Sequence, residues 1–209
     1  GGVREIEQAI EMIANARAPV FYTGGGVINS GPQAAKLLQE LQTLVGAPVT
    51  STLMGLGAFP ADHPAWLGML GMHGTYEANM TMNRADLVVC IGARFDDRVT
   101  GRLDAFSPNS KKIHIDIDRA SINKTVRVDL PVIGDCGKVL AQLIDAWHTR
   151  GYKAQDLTAW IAQVDTWRER KSLGYPRKTA EIMPQLAVER LYELTKHHEP
   201  IISTEVGQH

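Results

Sequence analysis

The segment Asp-Leu-Val-Val-Cys-Ile at residues 86–91 is the strongest indication of the fold, because a nearly continuous apolar run of this length is typical of a strand covered on both faces. It leads directly into Gly-Ala-Arg-Phe-Asp-Asp-Arg-Val-Thr-Gly at residues 92–101, which carries four charges in five positions. Ligands of open parallel sheets bind at the carboxyl ends of the strands. The sequence therefore predicts a parallel sheet with a polar binding edge at this point.

Strands and helices alternate on both sides of this stretch. Four further strands are predicted in the first 150 residues, at Pro19–Thr23, 48–51, 112–116 and Leu130–Ile133, and a last one is predicted at 200–204. Apolar periodicity predicts helices at 3–17, 33–45, 75–83, 137–149, 157–171 and 184–196. The alternation indicates the α/β class, a parallel sheet flanked by helices. The segment 52–74, rich in Gly, Met and Pro, is predicted as a long functional loop.

The domain organisation follows from a change in character near residue 150. Residues 1–150 are expected to form a central nucleotide-binding domain, and residues 151–183 a linker that contains one polar helix. Residues 184–209 are expected to be the truncated start of a second α/β domain. Since Gly1-Gly2 does not include a starting methionine, we expect the chain to be a piece of a longer protein.

Composition restricts the classes of partner. The chain has 209 residues, of which 44% are hydrophobic and 22% charged, with a formal net charge of −1, so no partner among nucleic acids or anionic membranes is indicated. No run approaches the roughly 20 apolar residues of a membrane helix. The two cysteines, Cys90 and Cys136, follow no metal-binding pattern, so we expect buried thiols in a reducing compartment and no metal site.

A glycine run, Gly24-Gly25-Gly26, directly follows a predicted strand. Glycines there allow a phosphate to approach the backbone N–H groups, and a plain tight turn explains them equally well. The dinucleotide fingerprint needs a glycine where Asn29 stands. The second strand also ends without the acid that reads a nicotinamide cofactor's ribose. The run therefore favours a nucleotide over an ordinary NAD site.

The charged stretch after residue 91 is the second candidate site. Arg94 and Arg98 can each make paired hydrogen bonds to phosphates or carboxylates, and Asp96 and Asp97 can orient them or accept from a ligand. The alternative is a surface ion-pair network, which would contribute little.

Carboxylates end two more strands. Asp116 can accept hydrogen bonds from ribose hydroxyls, whereas Asp118 is better explained as a helix cap. Asp135, at the start of a helix, is either a cap or a contact to adenosine. His73, in the loop at 68–74, is expected to make positional hydrogen bonds, because no nucleophile lies near it in sequence. The remaining histidines, including His63, His148, His197 and His198, are expected at the surface.

Together these segments resemble the catalytic subunits of the acetohydroxyacid synthase (acetolactate synthase) family of thiamine-diphosphate enzymes. The matching strings are Tyr-Thr-Gly-Gly-Gly at 22–26, Thr-Leu-Met-Gly at 52–55, Leu-Gly-Met-Leu-Gly-Met-His-Gly-Thr at 67–75, the charged stretch at 92–101, Ile-His-Ile-Asp-Ile-Asp at 113–118 and Thr-Glu-Val-Gly-Gln-His at 204–209. The likeness covers nearly the whole chain except 151–183.

The resemblance implies a subunit of three domains, of which this chain is the Rossmann-like central domain and the start of the third. In the family the central domain binds FAD in an extended pose. The positions that match FAD contacts are Gly24, Gly25, Gly26, Thr52, Leu53, Met54, Leu70, Gly71, Met72, His73, Gly92, Arg94, Asp96, Arg98, Val99, Asp116, Ile117 and Asp135. Those that match the edge of the thiamine diphosphate site are Val206, Gly207, Gln208 and His209.

The activity implied by the resemblance belongs to branched-chain amino-acid biosynthesis. Two pyruvates, or pyruvate plus 2-ketobutyrate, condense with loss of carbon dioxide and no net redox change. The resemblance places Met72, Asp97 and Arg98 along the substrate channel. Since an arginine can make paired hydrogen bonds to a carboxylate, our hypothesis is that Arg98 captures the second 2-keto acid. The glutamate that activates the thiamine and the magnesium motif lie outside this chain, so no catalytic residue is assigned here and the chain alone is expected to be inactive.

The resemblance also implies a bacterial cytoplasmic enzyme that forms a homodimer or homotetramer and can bind a small regulatory subunit. Two alternatives stay open. One is another FAD-containing thiamine enzyme, such as a glyoxylate carboligase, against which the arginine-bearing segment 94–98 counts. The other is a non-enzymatic nucleotide-binding module.

Overall fold

A computed structural model describes residues 1–177 and 181–203 of the chain. The chain divides into two compact units, Gly1–Ser172 and Leu173–His209. This division does not test the predicted boundaries of the central domain and linker, at residues 150 and 183, which stay predictions.

One six-stranded parallel sheet organises the first unit. The strands are β1 (Pro19–Thr23), β2 (Val49–Ser51), β3 (Trp66–Met69), β4 (Leu87–Ile91), β5 (Lys111–Asp116) and β6 (Leu130–Ile133). Their spatial order is β3-β2-β1-β4-β5-β6, and every neighbouring pair is parallel. The predicted α/β class with a parallel sheet is confirmed. Because the strand order reverses between β1 and β4, a crevice for ligands is expected at their carboxyl ends.

The helices agree closely with the periodicity of the sequence. They are α1 (Val3–Asn15), α2 (Gly25–Asn29), α3 (Pro32–Val45), α4 (Tyr76–Arg84), α5 (Asp97–Thr100), α6 (Cys136–Arg150), α7 (Thr158–Arg168) and α8 (Pro184–Thr195). Short 3-10 turns occupy Leu53–Gly55 and Arg119–Ser121. The short α2 begins one residue after β1, and the short α5 begins after the loop 92–96 that follows β4, so the two predicted ligand-binding segments both lead into helical turns.

Two of the predicted elements are wrong. The segment 52–74 is not loop throughout, since it contains the edge strand β3, which is only partly buried and pairs with β2 through a register shift. A glycine in its four residues hid the strand signal. The strand predicted at 200–204 is absent from residues 200–203, and Thr204 lies outside the described residues. The described part of the second unit offers no other strand for it to pair with.

Side chains alternate between the two faces of the sheet. One face carries residues such as Phe21, Val89 and Ile113, which pack under α1, α3 and α6. The opposite face carries Tyr22 and Cys90 among others, and Met82 of α4 covers it together with Phe95 and Phe106 from the segment after β4. Burial of both faces explains why the central strands are almost entirely apolar.

The free cysteines follow the prediction, because both are buried and neither forms a disulfide. Burial raises the pKa of the Cys136 thiol to about 12, so that thiol is protonated and unreactive near neutral pH. Within the part of the chain that the structure describes, no helix is long and apolar enough to cross a membrane.

The second unit contains α8. The Tyr175 hydroxyl donates to the Glu189 carboxylate, and Arg177 Nη1 lies 2.9 Å from the same group. Val188, Leu191 and Leu194 on α8 are exposed.

Trp160 anchors helix α7 to the sheet of the first unit. Its indole Nε1 donates to the Pro19 carbonyl at 3.0 Å, and its ring packs in a small cluster with Leu67, Ala78 and Val164. The apolar side of this otherwise polar helix, with Trp160 and Val164, is therefore buried against β3 and α4.

We predict that Trp160→Phe lowers the free energy of unfolding of the chain by about 1–3 kcal/mol, since the buried Pro19 carbonyl loses its indole donor. The matched control is Trp167→Phe, on the same helix but half-buried, for which a smaller loss is expected. Urea unfolding with the slope compared between variants measures both. Equal losses would show that ring burial, and not the hydrogen bond, anchors α7.

Candidate functional site

The structure brings the described candidate residues to one edge of the sheet, where all six strands end. Gly24–Gly26 follow β1, Thr52 to Met54 follow β2, Leu70 to His73 follow β3, Gly92 to Val99 follow β4, Asp116 and Ile117 end β5, and Asp135 follows β6. The candidates Val206, Gly207, Gln208 and His209 lie outside the described residues.

Two of the three glycines serve the fold. A Cβ on Gly24 would lie 2.6 Å from the Ala93 Cα, and a Cβ on Gly26 would lie 2.6 Å from the Gly92 Cα, so neither position accepts a side chain. Gly92 itself has a φ of +61°, a conformation that favours glycine. A Cβ on Gly25 would meet only Met54, at 3.3 Å. The tight packing of two loops therefore explains Gly24 and Gly26, and Gly25 faces outward.

Backbone hydrogen bonds account for most amides of these loops. Gly24 N–H donates to Ile91, Gly26 N–H to Gly92, and Gly92 N–H to Ile115, at 3.0, 2.9 and 2.8 Å. For Gly25 N–H, the described residues provide no acceptor. Of the three amides in the run, that of Gly25 is the one left for a ligand.

The loop after β2 presents apolar side chains at the edge. Thr52 Oγ1 accepts from Gly55 N–H at 3.1 Å and so caps the 3-10 turn that follows. Leu53 and Met54 extend from this turn and are largely exposed. Thr52 thus orders the turn, while the two apolar residues provide surface beside Gly25.

The loop after β3 is clamped by a residue that sequence reasoning missed. Asn79 on α4 accepts from Gly71 N–H at 3.1 Å and donates to Gly71 O at 3.0 Å. Met72 N–H donates to Arg98 O at 3.1 Å, so the structure brings together the two residues expected near one channel. A polar Asn on the inner side of a helix was the available signal.

In the charged segment, the guanidinium groups of Arg94 and Arg98 have only loose carboxylate partners. Asp96 caps α5 by accepting from Arg98 N–H at 3.2 Å, and this amide lowers the pKa of the Asp96 carboxyl. Arg94 Nη2 lies 3.5 Å from Asp96, and Arg98 Nε lies 4.0 Å from Asp97. The side chains of Arg94 and Arg98 are 70% and 78% exposed. Such loose, exposed pairs stabilise little, so both guanidinium groups are available to an anion.

Carboxylates at the ends of β5 and β6 have local partners. Asp118 accepts from Ala120 N–H at 2.9 Å, which confirms the predicted cap. Asp116 accepts from Asp118 N–H at 2.8 Å. Asp135 caps α6 through Lys138 N–H at 3.1 Å and accepts from the Ser30 hydroxyl at 2.8 Å. The Ser30 hydroxyl, followed by the Lys138 amide, lowers the pKa of the Asp135 carboxyl. The cap interpretation of Asp135 therefore holds, and its ligand contact stays a prediction.

The expectation of a surface position is wrong for His114. It is fully buried on β5, with its Nε2 2.8 Å from the Ala93 carbonyl oxygen and 3.7 Å from Asp116. Burial lowers the pKa of its imidazole. The Ile-His-Ile pattern of the strand was the signal, because a polar residue between two buried ones faces the other covered side of the sheet.

The edge is an open surface. A cavity of about 210 Å³ lies between the segment 94–97 and residues Ser121, Lys124 and Thr125. Ordinary ligand pockets hold roughly 300–1,000 Å³, so a large cofactor would lie along the edge rather than within this cavity. Met72 and Ile117 are exposed there as well, with 68% and 71% of their surfaces accessible.

Comparison with known proteins gives consistent matches. The family described as thiamine pyrophosphate enzyme, central domain, matches residues 6–143. The chain is 43% identical over 207 residues to the acetolactate synthase isozyme 3 large subunit of Escherichia coli, covering 98% of the chain and 36% of that protein. It is 43% identical over 210 residues to an acetolactate synthase of Mycobacterium leprae, with coverages of 99% and 33%. It is 42% identical over 206 residues to the chloroplastic acetolactate synthase 1 of Zea mays, with coverages of 98% and 31%. The chain spans about a third of the length of these relatives.

The glycine geometry predicts a contrast in stability. Gly24→Ala or Gly92→Ala forces a methyl group into backbone and should lower the free energy of unfolding by about 1–3 kcal/mol or more. Gly25→Ala should change it by less than about 1 kcal/mol, since its methyl group meets only the exposed Met54. Chemical denaturation of the three variants measures the contrast. A Gly25→Ala variant as unstable as Gly24→Ala would contradict the outward orientation of Gly25.

Proposed function

The chain belongs to the central-domain family of thiamine pyrophosphate enzymes, and we propose that it is the central domain of an acetolactate synthase large subunit. The whole protein would condense two pyruvates, or pyruvate plus 2-ketobutyrate, with loss of carbon dioxide. The identity of 43% over 98% of the chain to a protein of that name supports this proposal.

FAD is the cofactor proposed for the carboxyl edge. The observation that carries this assignment is the cradle between β1 and β4, where Gly24 and Gly26 press on Gly92 and leave the Gly25 amide facing outward. A phosphate suits that amide, and Arg94 and Arg98 supply exposed cations along the same edge. The proposed reaction makes no net redox change, so bound FAD would supply no electrons to it overall.

The remaining candidates extend this proposal along the edge. Met54 and Met72 offer apolar contact to a flavin ring, and Asp116 and Asp135 keep carboxylate oxygens near the surface for ribose hydroxyls. Thiamine diphosphate follows from the family, and we assign its edge to residues 206–209 and its magnesium to parts of the protein outside this chain. A bacterial cytoplasmic location, a homo-oligomer and a small regulatory subunit belong to the same proposal, the last because the Escherichia coli relative is named a large subunit.

The alternatives are less well supported. The relatives cited above carry acetolactate synthase names, which does not favour a glyoxylate carboligase. A nicotinamide enzyme would need a ribose-binding acid at the end of β2, where Ser51 and Thr52 stand.

The full-length protein tests the proposal. It should contain FAD and no pyridine nucleotide after purification, and it should form acetolactate from pyruvate when supplied with thiamine diphosphate, magnesium and FAD. The 209-residue chain alone should form none, since it spans about a third of its relatives. Cofactor analysis by chromatography and a colorimetric acetolactate assay measure these outcomes, and a full-length protein that forms no acetolactate would refute the activity.

Gly25→Val in the full-length protein tests whether a phosphate of FAD binds at the Gly25 amide. Its side chain would stand over the outward amide, so the dissociation constant for FAD should rise while the free energy of unfolding changes little. Gly25→Ala is the graded control and should have a smaller effect. Unchanged FAD affinity in Gly25→Val would show that the phosphate binds elsewhere.

Arg98 is proposed to bind the carboxylate of the second 2-keto acid. Its backbone is fixed by the Met72 amide, and its guanidinium, 4.0 Å from Asp97, is exposed. A planar guanidinium makes two parallel hydrogen bonds to a carboxylate, which an ammonium group cannot reproduce.

We predict that Arg98→Lys in the full-length protein still decarboxylates pyruvate but condenses poorly with 2-ketobutyrate. The loss should be on the order of 1.5–3 kcal/mol, the usual strength of a hydrogen bond to a charged group. The ratio of acetohydroxybutyrate to acetolactate at saturating FAD measures it. Arg102→Lys, an equally exposed arginine paired with Asp104, is the control. If saturating FAD restores the normal ratio, Arg98 binds the flavin and not the substrate.

A further inference from the structure

Three polar side chains lie side by side across the centre of the sheet. Tyr22 of β1 is in register with Cys90 of β4, and Cys90 is in register with His114 of β5. Residues in register on neighbouring parallel strands project to the same face. All three are fully buried. They form a continuous row, called the polar row below.

Each member of the polar row bonds to the backbone just after β4. The Tyr22 hydroxyl donates to the Arg94 carbonyl at 3.2 Å, and Cys90 Sγ donates to the Ala93 carbonyl at 3.1 Å. His114 Nε2 lies 2.8 Å from the same Ala93 oxygen. Because a carbonyl oxygen can only accept, the neutral imidazole carries its proton on Nε2. Three donors from three adjacent strands thus hold two consecutive carbonyls.

Phe95 packs against two members of the polar row. Its ring centroid lies 5.9 Å from that of Tyr22 and 5.2 Å from that of His114, and its side chain is buried. The segment therefore alternates, with Phe95 turned into the core and its neighbours Arg94 and Asp96 turned toward solvent. The inward ring and the three hydrogen bonds fix the backbone from which the arginines extend.

Packing alone does not explain three polar side chains at these positions. Val20 of β1 and Val88 of β4 lie two residues closer to the amino ends of these strands. They are in register on the same face, and both are apolar. Lys112 of β5, in register with Val88, is also polar and buried, but its Nζ donates to the Ser107 and Ser110 carbonyls. The members of the polar row differ from it, because all three pair with the segment that carries the charged side chains. Burial raises the pKa of Tyr22 and Cys90 and lowers the pKa of His114, so the three groups stay neutral donors near neutral pH.

We propose that the polar row is a positioning device: by fixing the carbonyls of Ala93 and Arg94, it sets where the Arg94 and Arg98 guanidinium groups stand for an anionic ligand at the edge. None of its members contacts the ligand in this proposal, since all three are buried beneath the segment. The inference rests on the proposed function, in which that ligand is FAD and then a 2-keto acid. A loosened segment would have to be reordered each time the ligand binds, and the cost would appear as weaker affinity.

The test compares four variants of the full-length protein by their dissociation constants for FAD and their free energies of unfolding. Tyr22→Phe keeps the ring and His114→Phe replaces the imidazole by a phenyl ring. Each removes the donor and should raise the dissociation constant about two- to tenfold, the factor that a neutral hydrogen bond supplies. His114→Gln retains an amide donor and should recover part of the affinity. Trp160→Phe is the matched control, because it removes a buried hydrogen bond to Pro19 at the opposite end of β1. It should lose stability at unchanged FAD affinity.

The outcomes distinguish a failure of this inference from a failure of the proposed function. If the ring variants destabilise the protein as Trp160→Phe does and still bind FAD as tightly as wild type, the polar row is structural only and the inference fails. If His114→Gln binds no better than His114→Phe, the donated hydrogen bond is not what positions the segment. A wild-type full-length protein that binds no FAD would overturn the proposed function, and the inference with it.

Discussion

The two loops that leave β1 and β4 approach each other so closely that their packing determines how the carboxyl edge of the sheet is built. Gly24 and Gly26 lie against Gly92 and Ala93, so that no side chain fits between the end of β1 and the end of β4. This contact occurs where the strand order reverses, the place at which parallel sheets bind ligands. It fixes the direction in which each loop leaves the sheet: α2 opens on one side, and the charged segment opens on the other.

From that contact outward, the edge is built by backbone hydrogen bonds more than by side chains. Thr52 N–H bonds to Thr23, Met72 N–H to Arg98, and Gly134 N–H to Asp116, which ties together loops that leave different strands. The carboxylates of Asp96, Asp118 and Asp135 cap the helical turns that begin there. Such caps satisfy amide groups that a helix leaves unpaired. They also explain why so many acids stand at the edge without forming a metal-like cluster among the described residues.

Much of this architecture could be predicted from the sequence, because its signals were local. The apolar run before Gly92, the glycines after β1 and the cap at Asp118 each depend on neighbours within a few residues. Strand β3 could not be predicted, since an edge strand with Gly68 in it lacks both alternation and a continuous apolar run. Asn79 and His114 were missed for another reason. Their partners, Gly71 and Ala93, are 8 and 21 residues away in sequence, and only the folded sheet brings them together.

The segment that carries Arg94 and Arg98 is held from the core, whereas the tips of the two arginines are exposed. Tyr22, Cys90 and His114 are fully buried and bond to the segment from below, whereas Arg94 and Arg98 end in guanidinium groups with only loose carboxylate partners. A side chain whose base is fixed and whose tip is free loses less entropy on binding than one whose backbone is also mobile. The exposed Met54 and Met72 beside them are unbranched and adaptable. An edge of this kind has a rigid base and adjustable contacts. In the proposed function, such an edge would hold FAD in place while the groups nearest the substrate rearrange around a smaller acid.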